Sequence, residues 1–123
     1  MTATPPKFRV LCESASLIEG GKGKRFDIAQ GDRAVACVAI RYDGRVRAYV
    51  NSCPHRGTEL DWNHGEVFDE SGLYLVCATH GAMFDPETGE CVSGPCRGES
   101  LSRVDVDEQD GVVRLLNSAS RAP

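Results

Sequence analysis

"RAVACVAIRYDGRVRAYVN", residues 33–51, decides how this chain folds. Two runs rich in β-branched and aromatic residues flank Asp43-Gly44, a dipeptide suited to the positive-φ pair of a two-residue hairpin turn. A hairpin over roughly 34–51 is expected. The same pattern returns near the end of the chain, where "LSRVDVD" alternates apolar and polar residues and Asp110-Gly111 leads into "VVRLL". These two hairpins form the outer walls. Between them "GEVFD", "LYLVC" and "AMFD" are short strand candidates, separated by the turn formers of "ESG" and "PETGE". No helical pattern longer than about two turns carries convincing caps. The expected class is therefore all-β and antiparallel. "KGKR" (Lys22 to Arg25) reads as a solvated loop.

Composition sets outer limits. With 123 residues, 41% hydrophobic and 26% charged, the chain has the size and balance of one globular domain, taken as 1–123. A formal net charge of -4 argues against a broad basic surface for nucleic acid. No apolar run approaches the roughly 18 residues of a membrane span, and "MTATPPKF" lacks the charged start and apolar stretch of a secretory signal. A soluble, cytoplasmic protein is expected. In that reducing compartment six cysteines point to metal binding rather than to a disulfide framework. Cys12 and Cys37 lie in apolar strand-like runs and read as small buried hydrophobes. Cys91 and Cys96 flank "VSGP" and could pair, an arrangement the cytosol disfavours.

The remaining cysteines come with histidines. "CPHRGTEL" supplies Cys53-x-His55, and after 21 intervening residues "CATHG" supplies Cys77-x-x-His80. Two thiolates and two imidazoles on hairpin-end loops suit either tetrahedral zinc or an iron-sulfur centre. In zinc fingers two cysteines sit together and two histidines sit together, whereas here each loop mixes the types. If the cysteines hold one iron and the histidines the other, each loop reaches both metals of a [2Fe-2S] cluster with His₂Cys₂ ligation.

"CPHRGTEL" and "CATHGAMFDPETGECVSGP" resemble the two cluster-binding boxes of the Rieske [2Fe-2S] proteins, including Gly81 after the second histidine. The resemblance spans about residues 50–97. It implies an antiparallel fold of stacked small sheets, with a cluster-binding subdomain at the tip over about 51–97. By the same resemblance Cys53 and Cys77 bind one iron, His55 and His80 bind the other, and Gly94-Pro95 lies in a loop covering the cluster.

Three departures from other members carry information. The 21-residue gap is longer than in many relatives, and the added length in "DWNHGEVFDESG" reads as a longer loop or hairpin end. His64 in this stretch reads as a surface residue, and Trp62 as packing under its own loop. High-potential members carry an extra cysteine in each box, and the two pair; Thr58 and Thr79 stand there in this chain. Those members also have a Ser and a Tyr that donate hydrogen bonds to sulfur, where Ala82 and Phe84 stand here. Reduction adds negative charge, so losing such donors lowers the potential. A midpoint toward the low end of the Rieske span, about -150 to +300 mV, is expected. Each ligand imidazole retains an N–H whose loss a ferric ion favours, so the midpoint should fall with rising pH in the alkaline range.

A Rieske oxygenase also needs a mononuclear iron held by two histidines and a carboxylate. Only His64 is left over, so the chain is not expected to be a complete oxygenase. The leading reading is a one-electron carrier, a Rieske-type ferredoxin between a reductase and an oxygenase or other terminal enzyme, with no catalytic residue of its own. A small redox or accessory subunit, similar to that of cytosolic nitrite reductase, is the alternative. Behind both stands a structural zinc or redox-sensing module.

Overall fold

A computed structural model describes residues 8–54, 59–61, 65–77 and 81–116. In chain order the strands are β1 (Phe8–Glu13), β2 (Lys24–Gln30), β3 (Arg33–Tyr42), β4 (Arg45–Val50), β5 (Leu75–Val76), β6 (Met83–Phe84), β7 (Cys91–Ser93), β8 (Arg103–Val104), β9 (Val106–Gln109) and β10 (Val112–Leu116). They form three sheets, ordered β1-β10-β9, β2-β3-β4-β8 and β5-β6-β7. Every strand pairing is antiparallel. Among the described residues the one helical element is a single 3-10 turn at Ser14–Ser16. The all-β expectation agrees with this architecture.

β3 is the middle of the molecule. Successive side chains of a strand point to opposite faces, and residues 37–40 are fully buried on both. Cys37 and Ala39 enter one apolar cluster, with Leu17, Phe26, Ile28, Val113 and Leu115. Val38 and Ile40 enter the other, with Leu75, Phe84, Cys53 and Cys77. β4 divides in the same way, sending Ala48 to the first cluster and Tyr49 to the second. A strand buried on both faces reads as a continuous apolar run, which explains the "ACVAI" stretch. Burial, reinforced by the charge of Asp27 and opposed by Arg9, pushes the Cys37 thiol up to about 11, in keeping with an inert core residue. Cys12, by contrast, is only half-buried.

Both expected turns are present. Asp43 and Asp110 have φ 54°, followed by Gly44 at 75° and Gly111 at 79°, the pair of positive angles that a tight hairpin with the strands' own twist requires. The Glu19 carboxylate accepts hydrogen bonds from the amides of Asp43 and Gly44 at 2.6 and 2.8 Å, fixing the first turn. Arg41 ties β3 to the outer sheet. Its guanidinium donates to the Leu17 and Ser14 carbonyls and lies 2.6 Å from Glu108 of β9, whose carboxyl this hydrogen bond holds below its ordinary value despite partial desolvation.

Two expectations need correction. "LSRVDVD" is not one strand, because β8 pairs with β4 while β9 pairs with β10, and the chain changes sheets at Asp105. Half of "KGKR" is not loop. Lys24 and Arg25 open β2 and sit opposite Ala39 and Val38, where pairing with β3 outweighs their preference for solvent. The long gap contains a hairpin end, as expected: Phe68 bridges Leu75, and the Asp69 amide donates to the Tyr74 carbonyl at 2.9 Å. The described residues contain no helix long and apolar enough to cross a membrane.

Candidate metal centre

The first loop leaves the end of β4 and is closed by side chains. Asn51 is buried, and its amide donates to Asp61 Oδ1 at 2.9 Å while its Oδ1 accepts from the Leu60 amide at 2.7 Å. The Asn51 backbone amide donates to the Ala36 carbonyl at 2.8 Å, anchoring this clasp to β3. Asp61 Oδ2 accepts from the Gly65 amide at 2.7 Å and has Arg25 Nε at 3.8 Å. Arg25 also reaches Glu59 at 2.9 Å. Burial pushes the Asp61 carboxyl up, but the bonds from Asn51 and Gly65 and the charge of Arg25 outweigh it and hold the group below its ordinary value. The clasp joins the two ends of the loop that begins with Cys53. Its residues escaped the sequence reading, since an Asn and an Asp ten positions apart have no local signature.

The second loop is closed by backbone. The Cys77 amide donates to the Ala82 carbonyl and the Gly81 amide to the Cys77 carbonyl, both at 2.8 Å. Gly81 has φ 72°, a left-handed turn in which a side chain would be strained. A third segment lies against this loop. A Cβ on Gly94 would fall 2.8 Å from Ala82 Cα, so only glycine permits the approach. Tyr49, fully buried, donates its hydroxyl to the Pro86 carbonyl at 2.7 Å and links the small sheet to β4; burial raises this phenol to about 12.

Cys53 and Cys77, from different loops, are both 0% exposed and share one apolar cluster with Ala82, Phe84, Cys91 and Cys96. None of these cysteines is joined in a disulfide. The Cys96 thiol donates to Cys91 Sγ at 3.2 Å, and Cys91 in turn donates to the Ser93 carbonyl at 3.4 Å. Burial first, then the neighbouring Cys91 thiol, pushes the Cys96 thiol up to about 12. Cys91 and Cys96, whose pairing the sequence left possible but disfavoured, thus meet as two thiols.

His55 and His80, with Thr58, Trp62, His64 and Thr79, lie outside the described residues. Among those described, no three ligating side chains converge on one point. Ala82 and Phe84, the positions expected to lack donors, are fully buried. Two buried thiols on separately closed loops fit one half of a His₂Cys₂ donor set, because soft sulfur in an apolar surround suits iron-sulfur chemistry.

A family model described as the Rieske [2Fe-2S] domain matches residues 7–114. The fold is similar to that of a chain in the complex of reduced oxygenase and oxidized ferredoxin in carbazole 1,9a-dioxygenase, with TM-score 0.69 and 20% identity over 90% of this chain and 94% of that one. It is similar also to the Sphingomonas yanoikuyae B1 ferredoxin, with TM-score 0.64 and 26% identity over 88% and 96%. For the terminal oxygenase of carbazole 1,9a-dioxygenase from Novosphingobium sp. KA1 the values are 0.72 and 23%, over 89% of this chain but 29% of that one. Comparison with curated protein sequences gives no match.

Proposed function

Because this chain belongs to the Rieske [2Fe-2S] domain family, we propose that it is a one-electron carrier, a ferredoxin that takes electrons from a reductase and delivers them to an oxygenase or another terminal enzyme. The observation that carries the reading is the match over 96% of the Sphingomonas yanoikuyae B1 ferredoxin at 26% identity. The oxygenase as acceptor is supported by the fold shared with a chain of the oxygenase–ferredoxin complex.

In this reading residues 1–123 form one domain and residues of about 51–97 its cluster-binding part. Cys53 and Cys77 hold one iron; His55 and His80 hold the other. When bound, the [2Fe-2S] cluster supplies a reversible one-electron change at iron. The chain's own residues supply the setting. The Asn51–Asp61 clasp fixes the loop of Cys53 and His55, the backbone bonds from Cys77 and Gly81 fix the loop of Cys77 and His80, and Ala82 and Phe84 keep water from the cysteine side. No group here needs to act as acid, base or nucleophile. The expected site of action is the cytoplasm.

Metal and sulfide analysis of freshly purified protein, with low-temperature EPR after dithionite reduction, tests this reading. Two irons per chain and a rhombic signal of low average g are expected for His₂Cys₂ ligation. One zinc without a signal, unchanged after anaerobic reconstitution with iron and sulfide, would rule the carrier out.

A further inference from the structure

We propose that Cys91 and Cys96 form a reversible oxidation site, at which a hydroperoxide converts the two thiols to a disulfide. Neither cysteine is a proposed metal ligand, so the inference stands apart from the carrier reading.

The two sulfurs are 3.2 Å apart. They need to approach by only about 1 Å to reach the S–S bond length of about 2.05 Å. Their backbones are already joined through one residue, since the Cys91 amide donates to the Glu99 carbonyl and the Glu99 amide to the Cys96 carbonyl, both at 2.9 Å. The turn between them contains Gly94 at φ 104°, seated so closely on the second loop that a Cβ there would fall 2.8 Å from Ala82 Cα. Residues 92–95 are exposed while both cysteines are buried, so the turn faces solvent and directs its two thiols inward, onto each other. Burial alone would be served by apolar side chains of the same size. What two cysteines add is the capacity to join.

Burial also selects the oxidant. Cys91 is 4% exposed and Cys96 0%, which shields the pair from a bulky disulfide and leaves access to a molecule the size of hydrogen peroxide. Cys91 retains an opening to solvent and reacts first. Its sulfur attacks the peroxide O–O bond, giving a sulfenic acid and one water. The Cys96 sulfur then displaces the sulfenic hydroxyl, which leaves as a second water. Two electrons pass from the thiols to the O–O bond, and both thiol protons end in the two waters. Because the second step is intramolecular, it captures the sulfenic acid before irreversible oxidation to the sulfinic acid. Two equivalents of a small thiol reverse the change, restoring both S–H groups and leaving as a disulfide themselves.

The test treats the loaded protein with hydrogen peroxide under native conditions and quenches it by denaturation in excess iodoacetamide. Cleavage after Glu90 and Glu99 isolates residues 91–99, whose only cysteines are this pair. That peptide should become two hydrogens lighter and refractory to alkylation about tenfold faster than the Cys37 peptide loses its thiol, and dithiothreitol should restore two alkylated cysteines. In Cys96→Ser, dimedone should label the sulfenic acid at Cys91. Two alkylated cysteines in the wild-type peptide after Cys37 has been oxidised would overturn the proposal, as would a Cys96→Ser protein whose Cys91 takes up no dimedone. A disulfide that forms only as the rhombic iron signal disappears from a parallel EPR sample would also overturn it. Protein without that signal before peroxide is added would reject the carrier reading instead, and the peptide assay would then decide the pairing by itself.

Discussion

The two faces of β3 look into two differently built regions. On one face the apolar cluster holds Phe26, Ile28, Val113 and Leu115, drawn from strands seven and five residues long. On the other side the strands are two, two and three residues long, and the cluster includes four cysteines. Long ladders hold the first region by regular pairing and apolar burial. The second has too little ladder for that, and its loops are closed by a buried Asn–Asp clasp, a few backbone bonds and thiol contacts. A scaffold made of strands thus carries a site made of loops. Binding energy at the proposed ligands would add to the stability of the site side first.

The largest expected effect is on metal. Cys77→Ala should abolish iron binding, measured by metal analysis, and raise amide hydrogen exchange in residues 75–93 while β2, β3 and β4 remain protected. Equal loss of protection in both regions would erase the contrast between them. Next comes packing. Phe84→Ala removes a fully buried ring and should cost about 3–5 kcal/mol by chemical denaturation.

A smaller effect is expected at the clasp. Asn51→Ala leaves the Leu60 amide and Asp61 Oδ1 without this partner, at a cost of about 1–3 kcal/mol. Its sharper signature is in acid. The folded Asp61 carboxyl lies below its ordinary 3.8, so its stabilisation is complete above that value and is lost as pH falls through the folded value. Without Asn51 the folded value rises toward the ordinary one. Acid bleaching of the cluster, followed by visible absorbance, should then begin at higher pH in the variant; an unchanged profile would remove the clasp from the account of the site.

What the sequence revealed follows the range of the interactions. Asp43-Gly44 and Asp110-Gly111 specify their turns through their own backbone preferences, so both hairpins were legible. The buried state of Cys37 was legible from its apolar run. The division of residues 101–107 between two sheets was not, because alternation reads the same whichever partner a strand takes. Charge concealed the strand at Lys24 and Arg25, where pairing with β3 prevails. Cys53 and Cys77 stood out by spacing, and the fold brings them into one cluster. The Asn51–Asp61 clasp depends on how distant parts of a loop are folded against each other, for which no short pattern exists.

A spectroelectrochemical titration of the loaded protein between neutral and alkaline pH tests the central claim most directly. A reversible one-electron wave is expected, with a midpoint toward the low end of the span of about -150 to +300 mV and falling as the pH becomes alkaline. An irreversible response, or a reversible midpoint above about +100 mV, would contradict a low-potential electron carrier.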